Sequence, residues 1–319
     1  MKSISVVIPN YNGLSLLKEN IPFVYAAIQT SRVTDFEIIV SDDASTDASV
    51  EFLKQKYPEI VIVENKINTG FAGNVNSGIR FARKELVFIL NTDVRLSVGY
   101  FKSLLPYFED RATFGVMGRI MSLDGEKHRD GAKYPELSFG SIVATKNYTS
   151  KDTTRLYSLF LSGANALIDR EKLLEIGCFN ELFNPYYFED ADLGLTAWRM
   201  GYKLYYEHDA VCYHPYCATI KHQPSEKVKR IAKRNKLIMH YLHLDGIELS
   251  YFMLLFILKM CFRLLIFDTF YRKVFLDFLS MQKSVKLEKE KYIKLRKKSL
   301  RDIKKTILNN IKGLDIVKF

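Results

Sequence analysis

Apolar positions along the first hundred residues switch between two periods. Ile4–Ile8 is a β-rich run closed by Pro9-Asn10-Tyr11-Asn12-Gly13, after which Leu16, Leu17, Ile21, Val24 and Ile28 recur at helical spacing. Phe36–Val40 predicts a second strand, and Ser45–Tyr57 a second helix capped by Ser45 or Thr46. Ile60–Val63, Ala72–Arg83 and Leu86–Leu90 continue as strand, helix and strand. Such alternation predicts a mostly parallel sheet with helices on both faces. Ligands on these sheets bind beyond the carboxyl ends of the strands. Each predicted strand ends there in polar residues: Asn10 and Asn12, Asp42 and Asp43, Asn65, and Asn91 with Asp93.

From about residue 112 to 168 the periodicity fades. Gly115, Gly118, Gly125, Gly131, Pro135 and Gly140 punctuate short segments, which predicts loops and an extra small sheet of the kind that binds an acceptor. Leu159–Asp169 reads as a buried strand interrupted by Ser162-Gly163-Ala164-Asn165, and Tyr202–Tyr206 with Ala210–Tyr213 close the α/β part. The predicted organisation is an α/β domain over residues 1–220 and a basic, amphipathic helical region over 221–319.

Charge sharpens that division. Residues 1–220 carry 23 basic and 27 acidic side chains, whereas 221–319 carry 24 and 9, a net charge of +15. The basic character therefore belongs to the C-terminal third, where anionic surfaces are the expected partners. Cys178, Cys212, Cys217 and Cys261 form no CxxC pair, which fits a reducing, cytoplasmic location. Cys212, His214, Cys217 and His222 can be drawn as a zinc site, but the spacing matches no usual structural pattern. No apolar segment behind a basic start marks a signal peptide.

The stretch richest in chemistry is Phe183-Asn184-Pro185-Tyr186-Tyr187-Phe188-Glu189-Asp190-Ala191-Asp192-Leu193. The apolar pattern that follows places Glu189, Asp190 and Asp192 in the first turn of a helix, where acidic side chains suit the helix dipole. A carboxylate against the aromatic wall of Tyr186, Tyr187 and Phe188 is a candidate general base. Asn91 and Asp93, at i and i+2 just beyond a strand, offer oxygen ligands to a hard divalent cation such as Mg2+ or Mn2+. Asn68–Gly78 is a glycine- and asparagine-rich helix entry able to cradle phosphate through backbone N–H groups. It lacks both GxGxxG spacing and a P-loop lysine, which excludes the usual NAD-enzyme and NTPase signatures.

In this order and spacing, Val7–Gly13, Ser41–Asp47, Asn68–Gly78, Asn91-Thr92-Asp93, Ser162-Gly163-Ala164 and Phe188–Leu193 resemble glycosyltransferase family 2, in particular its rhamnosyltransferase-like bacterial members, over roughly residues 3–220. The resemblance implies the GT-A fold, a mostly parallel twisted sheet with flanking helices, here with a C-terminal helical extension. It implies a nucleotide-sugar site of Pro9, Tyr11, Asp42, Asp43, Gly70, Asn74, Asn76, Asn91, Thr92 and Asp93. Tyr11 and Asp42 would lie near the base, and Asn91-Thr92-Asp93 stands where the family has a DxD metal motif, with only its last carboxylate kept. Asp190 becomes the catalytic base, Glu189, Asp192 and Tyr187 supporting or acceptor-facing residues, and His214 a second metal ligand beside Asp93. One base and a single displacement imply inversion at the sugar, in contrast to the two-carboxylate retaining scheme. The implied activity is transfer from a dTDP- or UDP-linked sugar to a glycan or lipid-linked acceptor in surface polysaccharide synthesis.

Two other readings compete. A sugar-phosphate nucleotidyltransferase would carry a glycine-rich loop with a basic residue after the first strand, which Pro9–Gly13 lacks. An adaptor built on the basic tail leaves the polar strand ends unexplained. Within that tail, Lys227–Lys236 is a basic helix-like run and Leu249–Leu258 is apolar until Lys259 and Arg263 interrupt before Leu264–Phe267. Spanning a bilayer takes ~20 apolar residues. The expectation is therefore either peripheral membrane contact through 245–319, on the inner face of the cytoplasmic membrane, or a helical hairpin forming a core or homodimer. Nucleic acid is not an expected partner.

Overall fold

The computed structural model describes residues 2–143, 146–150, 155–214 and 225–319. Cys217 and His222 of the drawn zinc site lie outside these residues, as does the expected boundary at 220/221. The first four strands form where the apolar runs predict: β1 (Ile4–Asn10), β2 (Phe36–Asp42), β3 (Val61–Glu64) and β4 (Leu86–Leu90). Between them run α1 (Leu14–Thr30), α2 (Ser49–Lys56) and α3 (Gly70–Phe81). The helix α2 starts later than expected and Ser45 does not cap it. Residues 43–47 instead form a turn in which Asp42 accepts from the Ser45 N–H, at 2.9 Å, and Asn12 from the Thr46 N–H, at 2.7 Å.

Three further long strands extend the main sheet: β5 (Thr113–Met121), β6 (Asn165–Asp169) and β7 (Lys203–Tyr213). Their order is β7-β5-β6-β4-β1-β2-β3, with Leu156–Tyr157 beyond β7. All neighbours are parallel except β6, which runs antiparallel to both β4 and β5. Alternation along a strand decides which side of the sheet a residue fills. Val87 and Ile89 of β4 enter one core, whereas Leu86, Phe88 and Leu90 enter the other with Leu17, Ile21 and Val24 of α1.

The central strand β5 corrects the expectation of loops from residue 112. Its pattern is broken by Gly115 and Gly118, which are required by close approach. A Cβ at Gly118 would lie 2.3 Å from the Ala210 carbonyl, and one at Gly115 2.6 Å from that of Leu167. The expected small sheets are present as well. One is a hairpin of Glu136–Ser138 and Ser141–Val143, and another joins Ala132–Lys133, Asn147–Ser150 and the C-terminal Ile316–Lys318. The two segments predicted at 202–213 are a single strand with a register shift between Glu207 and Val211.

Helix α4 (Glu189–Met200) precedes β7, and among the described residues five helices follow it: α5 (Ser225–His243), α6 (Gly246–Leu265), α7 (Thr269–Ser280), α8 (Gln282–Leu295) and α9 (Leu300–Asn310). Ile238, Leu242, Val285, Tyr292 and Ile303 share one buried cluster with Leu195 and Trp198 of α4. The C-terminal helices thus cover a face of the α/β body.

Candidate active site

The carboxyl edge of the sheet gathers the predicted polar residues. At the end of β1, Asn10 Nδ2 donates to Asp42 Oδ2 at 2.8 Å, and the Asp43 N–H donates to the Asn10 carbonyl at 2.9 Å. Asp43 is buried and accepts from the Thr69 N–H (2.9 Å), the Thr69 hydroxyl (2.8 Å), the Gly70 N–H (3.0 Å) and Asn65 Nδ2 (3.1 Å). A carboxylate so used fixes the loop that opens α3. Asn74 Nδ2 reaches the Asn10 carbonyl at 3.2 Å, closing the same network. Gly70 has φ +76°, and a Cβ there would lie 2.9 Å from Pro185 Cα, so this entry needs glycine. Tyr11 stands half exposed beside these groups, next to the partly exposed Pro9.

Asn76 lies further along α3. Its amide donates to the Phe179 carbonyl at 2.8 Å and its oxygen accepts from the Phe179 N–H at 3.0 Å, so it docks the 179–181 loop. It also lines a cavity of about 470 Å³ with Arg80, Glu181 and Lys291. The Asn76 side chain, like those of Asp43 and Asn74, thus holds neighbouring backbone in place.

Asp93 and His214 come together because the two-residue strand Arg95–Leu96 pairs with Cys212 and Tyr213 at the end of β7. His214 Nε2 lies 3.1 Å from the buried Asp93 Oδ1, and its N–H donates to the Met121 carbonyl at 2.9 Å. Thr92 holds α1 through its carbonyl, which accepts from Asn20 Nδ2 at 2.8 Å. Among the described residues, no three His, Cys, Asp or Glu side chains converge as a self-sufficient metal cage. One carboxylate and one imidazole, with the Asn91 amide two residues from Asp93, suit a cation that takes its other ligands from water and phosphate oxygens.

The same edge reaches the acidic turn. The Asn91 N–H donates to the Ala164 carbonyl at 3.1 Å, and the N–H of the neighbouring Gly163 faces the Asp190 carboxylate, where a Cβ on Gly163 would lie 3.2 Å from the Phe71 ring. Phe188, with φ +76°, precedes α4, whose first turn holds Glu189, Asp190 and Asp192 as expected. Asp190 is partly exposed and accepts from the Ala191 N–H at 2.8 Å. Burial pushes its carboxyl above the ordinary range, partly offset by the Lys133 charge and by the Ala191 and Gly163 N–H groups. Burial also lifts Glu189 to about 8, with the Asp190 charge adding to it, and Glu189 Oε2 is buried without a hydrogen-bond partner among the described residues.

Asp192 has a different place. It is fully enclosed and accepts from His243 Nε2 at 2.8 Å and from the Tyr292 hydroxyl at 2.5 Å, so it ties α4 to α5 and α8. Burial pushes His243 down, so a neutral ring donating through Nε2–H fits. Asn235, also on α5, donates from Nδ2 to the carbonyls of Phe183 (2.6 Å), Tyr186 (2.9 Å) and Tyr187 (2.9 Å). It thereby holds the aromatic loop, in which Tyr187 also has a positive φ of 77°. Sequence reasoning missed Asn235, His243, Tyr292 and Lys133. None carries a local signal, since each acts through a partner about 50 or more residues away.

A mostly parallel sheet with flanking helices, whose carboxyl edge carries a carboxylate–imidazole pair and an acidic helix start, has the architecture of the GT-A type of nucleotide-sugar transferase. The chain belongs to glycosyl transferase family 2, whose profile matches residues 5–177. It is 37% identical over 126 residues to the poly(ribitol-phosphate) beta-glucosyltransferase of Bacillus spizizenii, covering 38% of this chain and 20% of that one. It is 27% identical over 214 residues to the GalNAc(5)-diNAcBac-PP-undecaprenol beta-1,3-glucosyltransferase of Campylobacter jejuni, covering 66% and 63%. The chain thus spans less than two thirds of either relative. A crystal structure of GalNAc-T7 with UDP, GalNAc and Mn2+ superposes with a TM-score of 0.61 at 18% identity, over 79% of this chain and 50% of that one.

Proposed function

We propose that this chain is an inverting glycosyltransferase that moves a sugar from a dTDP- or UDP-linked donor to a hydroxyl of a glycan or lipid-linked saccharide in surface polysaccharide synthesis. The observation that carries the reading is the contact chain Asn91–Ala164–Gly163–Asp190, which sets a base candidate beside the donor edge of the sheet. Tyr11 and the Asn10–Asp42–Asp43 network shape the base end of the donor site. Asp93 and His214 are the donors that would hold Mg2+ or Mn2+, which when bound neutralises charge on the departing diphosphate. Asp190 takes the proton of the acceptor hydroxyl as that oxygen attacks the anomeric carbon from the face opposite the leaving group. One displacement with one base inverts the centre. Burial of the Asp190 carboxyl raises its basicity for that task.

Residues 1–220 form the catalytic unit in this reading, and 221–319 a helical region that braces it. A lipid-linked acceptor would bring the chain to a membrane, which residues 245–319 would meet; self-association through the same region is the competing assignment. A panel of nucleotide sugars tested with Mn2+ or Mg2+ checks the core of the reading. We expect cation-dependent release of nucleoside diphosphate from one dTDP- or UDP-linked donor. Cation-dependent turnover of sugar phosphates with NTP instead would contradict it.

A further inference from the structure

The helix α6 is apolar on both sides. Its inner side seats Phe256 and Met260, which are buried, and Phe252, which stacks on His240 at 4.6 Å. The outer side repeats at helical spacing as well: Tyr251, Leu254, Leu258, Phe262 and Leu265 are all exposed, and Phe267 just beyond is 89% exposed. A helix on a water-facing surface presents polar residues outward. The cations of α6 do not cover this stripe. Arg263 pairs with Asp268 at 3.1 Å, and both Lys259 and Arg263 lie over the Tyr271 ring of α7, at 5.1 and 4.7 Å. No described helix is long and apolar enough to cross a membrane.

Beside the stripe, positive charge is concentrated. Lys236 on α5 lies near both Lys233 and Lys259, and burial together with these neighbours holds it below the ordinary lysine range. The region carries a net charge of +15 from residue 221 onward. Apolar side chains in a row, beside Lys233, Lys236 and Lys259, which form no ion pair among the described residues, complement a surface with an oily interior and anionic headgroups.

We propose that the outer face of α6, with Phe267, docks this chain onto an anionic lipid bilayer, the helix lying in the interfacial plane. This deepens the membrane contact assigned to 245–319 and stands apart from sugar transfer, so vesicle binding and turnover can fail separately. Lys233, Lys236 and Lys259 then sit at headgroup level. α5 carries Asn235, so the docked helix pair is also the one that holds the aromatic loop before Asp190.

Co-sedimentation of the full chain with phosphatidylcholine vesicles, with and without phosphatidylglycerol, tests the proposal. The wild type is expected to pellet with the anionic vesicles, and L254E/L258E/F262E to bind roughly tenfold or more weakly. These three side chains are exposed, so the variant should melt like the wild type. F267W supplies a second readout that needs no loss of binding: its emission should shift to the blue with anionic vesicles. Three results would overturn the proposal. They are no wild-type binding to anionic vesicles, equal binding by the triple variant, or a wild-type dimer that the triple variant converts to monomer.

Discussion

Glu189 and Asp190 are adjacent carboxyls in one helical turn, and enclosing both makes it costly to ionise both. Burial, with the Asp190 charge adding to it, raises the Glu189 carboxyl to about 8, and its Oε2 has no hydrogen-bond partner among the described residues. Its protonated form favours folding below the unfolded carboxyl range, and that contribution is lost as pH rises toward 8. E189Q should therefore gain stability relative to wild type between pH 5 and pH 8, by roughly 1–3 kcal/mol. Thermal melts of both proteins at the two pH values check this, and parallel pH profiles would contradict it. At this scale the candidates could be named from the sequence: Asp42, Asp43, Asp93, Asp190 and His214 stand out by type and by position beyond a strand or at a helix start, and the structure brings Asp93 to His214. Lys133 was not legible, because its effect on Asp190 depends on a fold-dependent approach across the sheet edge.

Among the elements, α5 has the broadest reach into the site. The two N–H groups of the Asn235 amide are shared among three carbonyls of the loop before α4, and its oxygen accepts from Arg234 Nε at 2.9 Å. N235A leaves those buried carbonyls unpaired and should cost roughly 1–3 kcal/mol. N235D, nearly isosteric, aims an acceptor at three acceptors and should be at least as damaging. Denaturant unfolding ranks the variants, and a stable N235D would refute the clamp. The sequence showed α5 only as a basic run, since the meaning of Asn235 lies in its partners. The strand β5 was hidden for a related reason: Gly115 and Gly118 interrupt its pattern to admit neighbouring chain, a need visible only after the sheet is assembled.

Over the whole molecule, the α/β alternation of residues 4–90 was read directly, because short β-rich apolar runs and the longer helical repeat differ in length and spacing. The role of the C-terminal third was read only in outline, as charge and apolarity. The fold adds that its helices share a core with α4 and anchor Asp192, so the acidic turn is held from below by residues far along the chain. In the proposed reading the donor edge, the acidic turn and the bracing helices act as one assembly centred on Asp190. The most direct test compares D190N with wild type for transfer from the donor identified in the nucleotide-sugar panel and for donor-induced thermal protection. The account predicts that D190N loses transfer by roughly a hundredfold or more, as for removal of a general base, while protection by the donor with Mn2+ is kept. Undiminished transfer by D190N would contradict it.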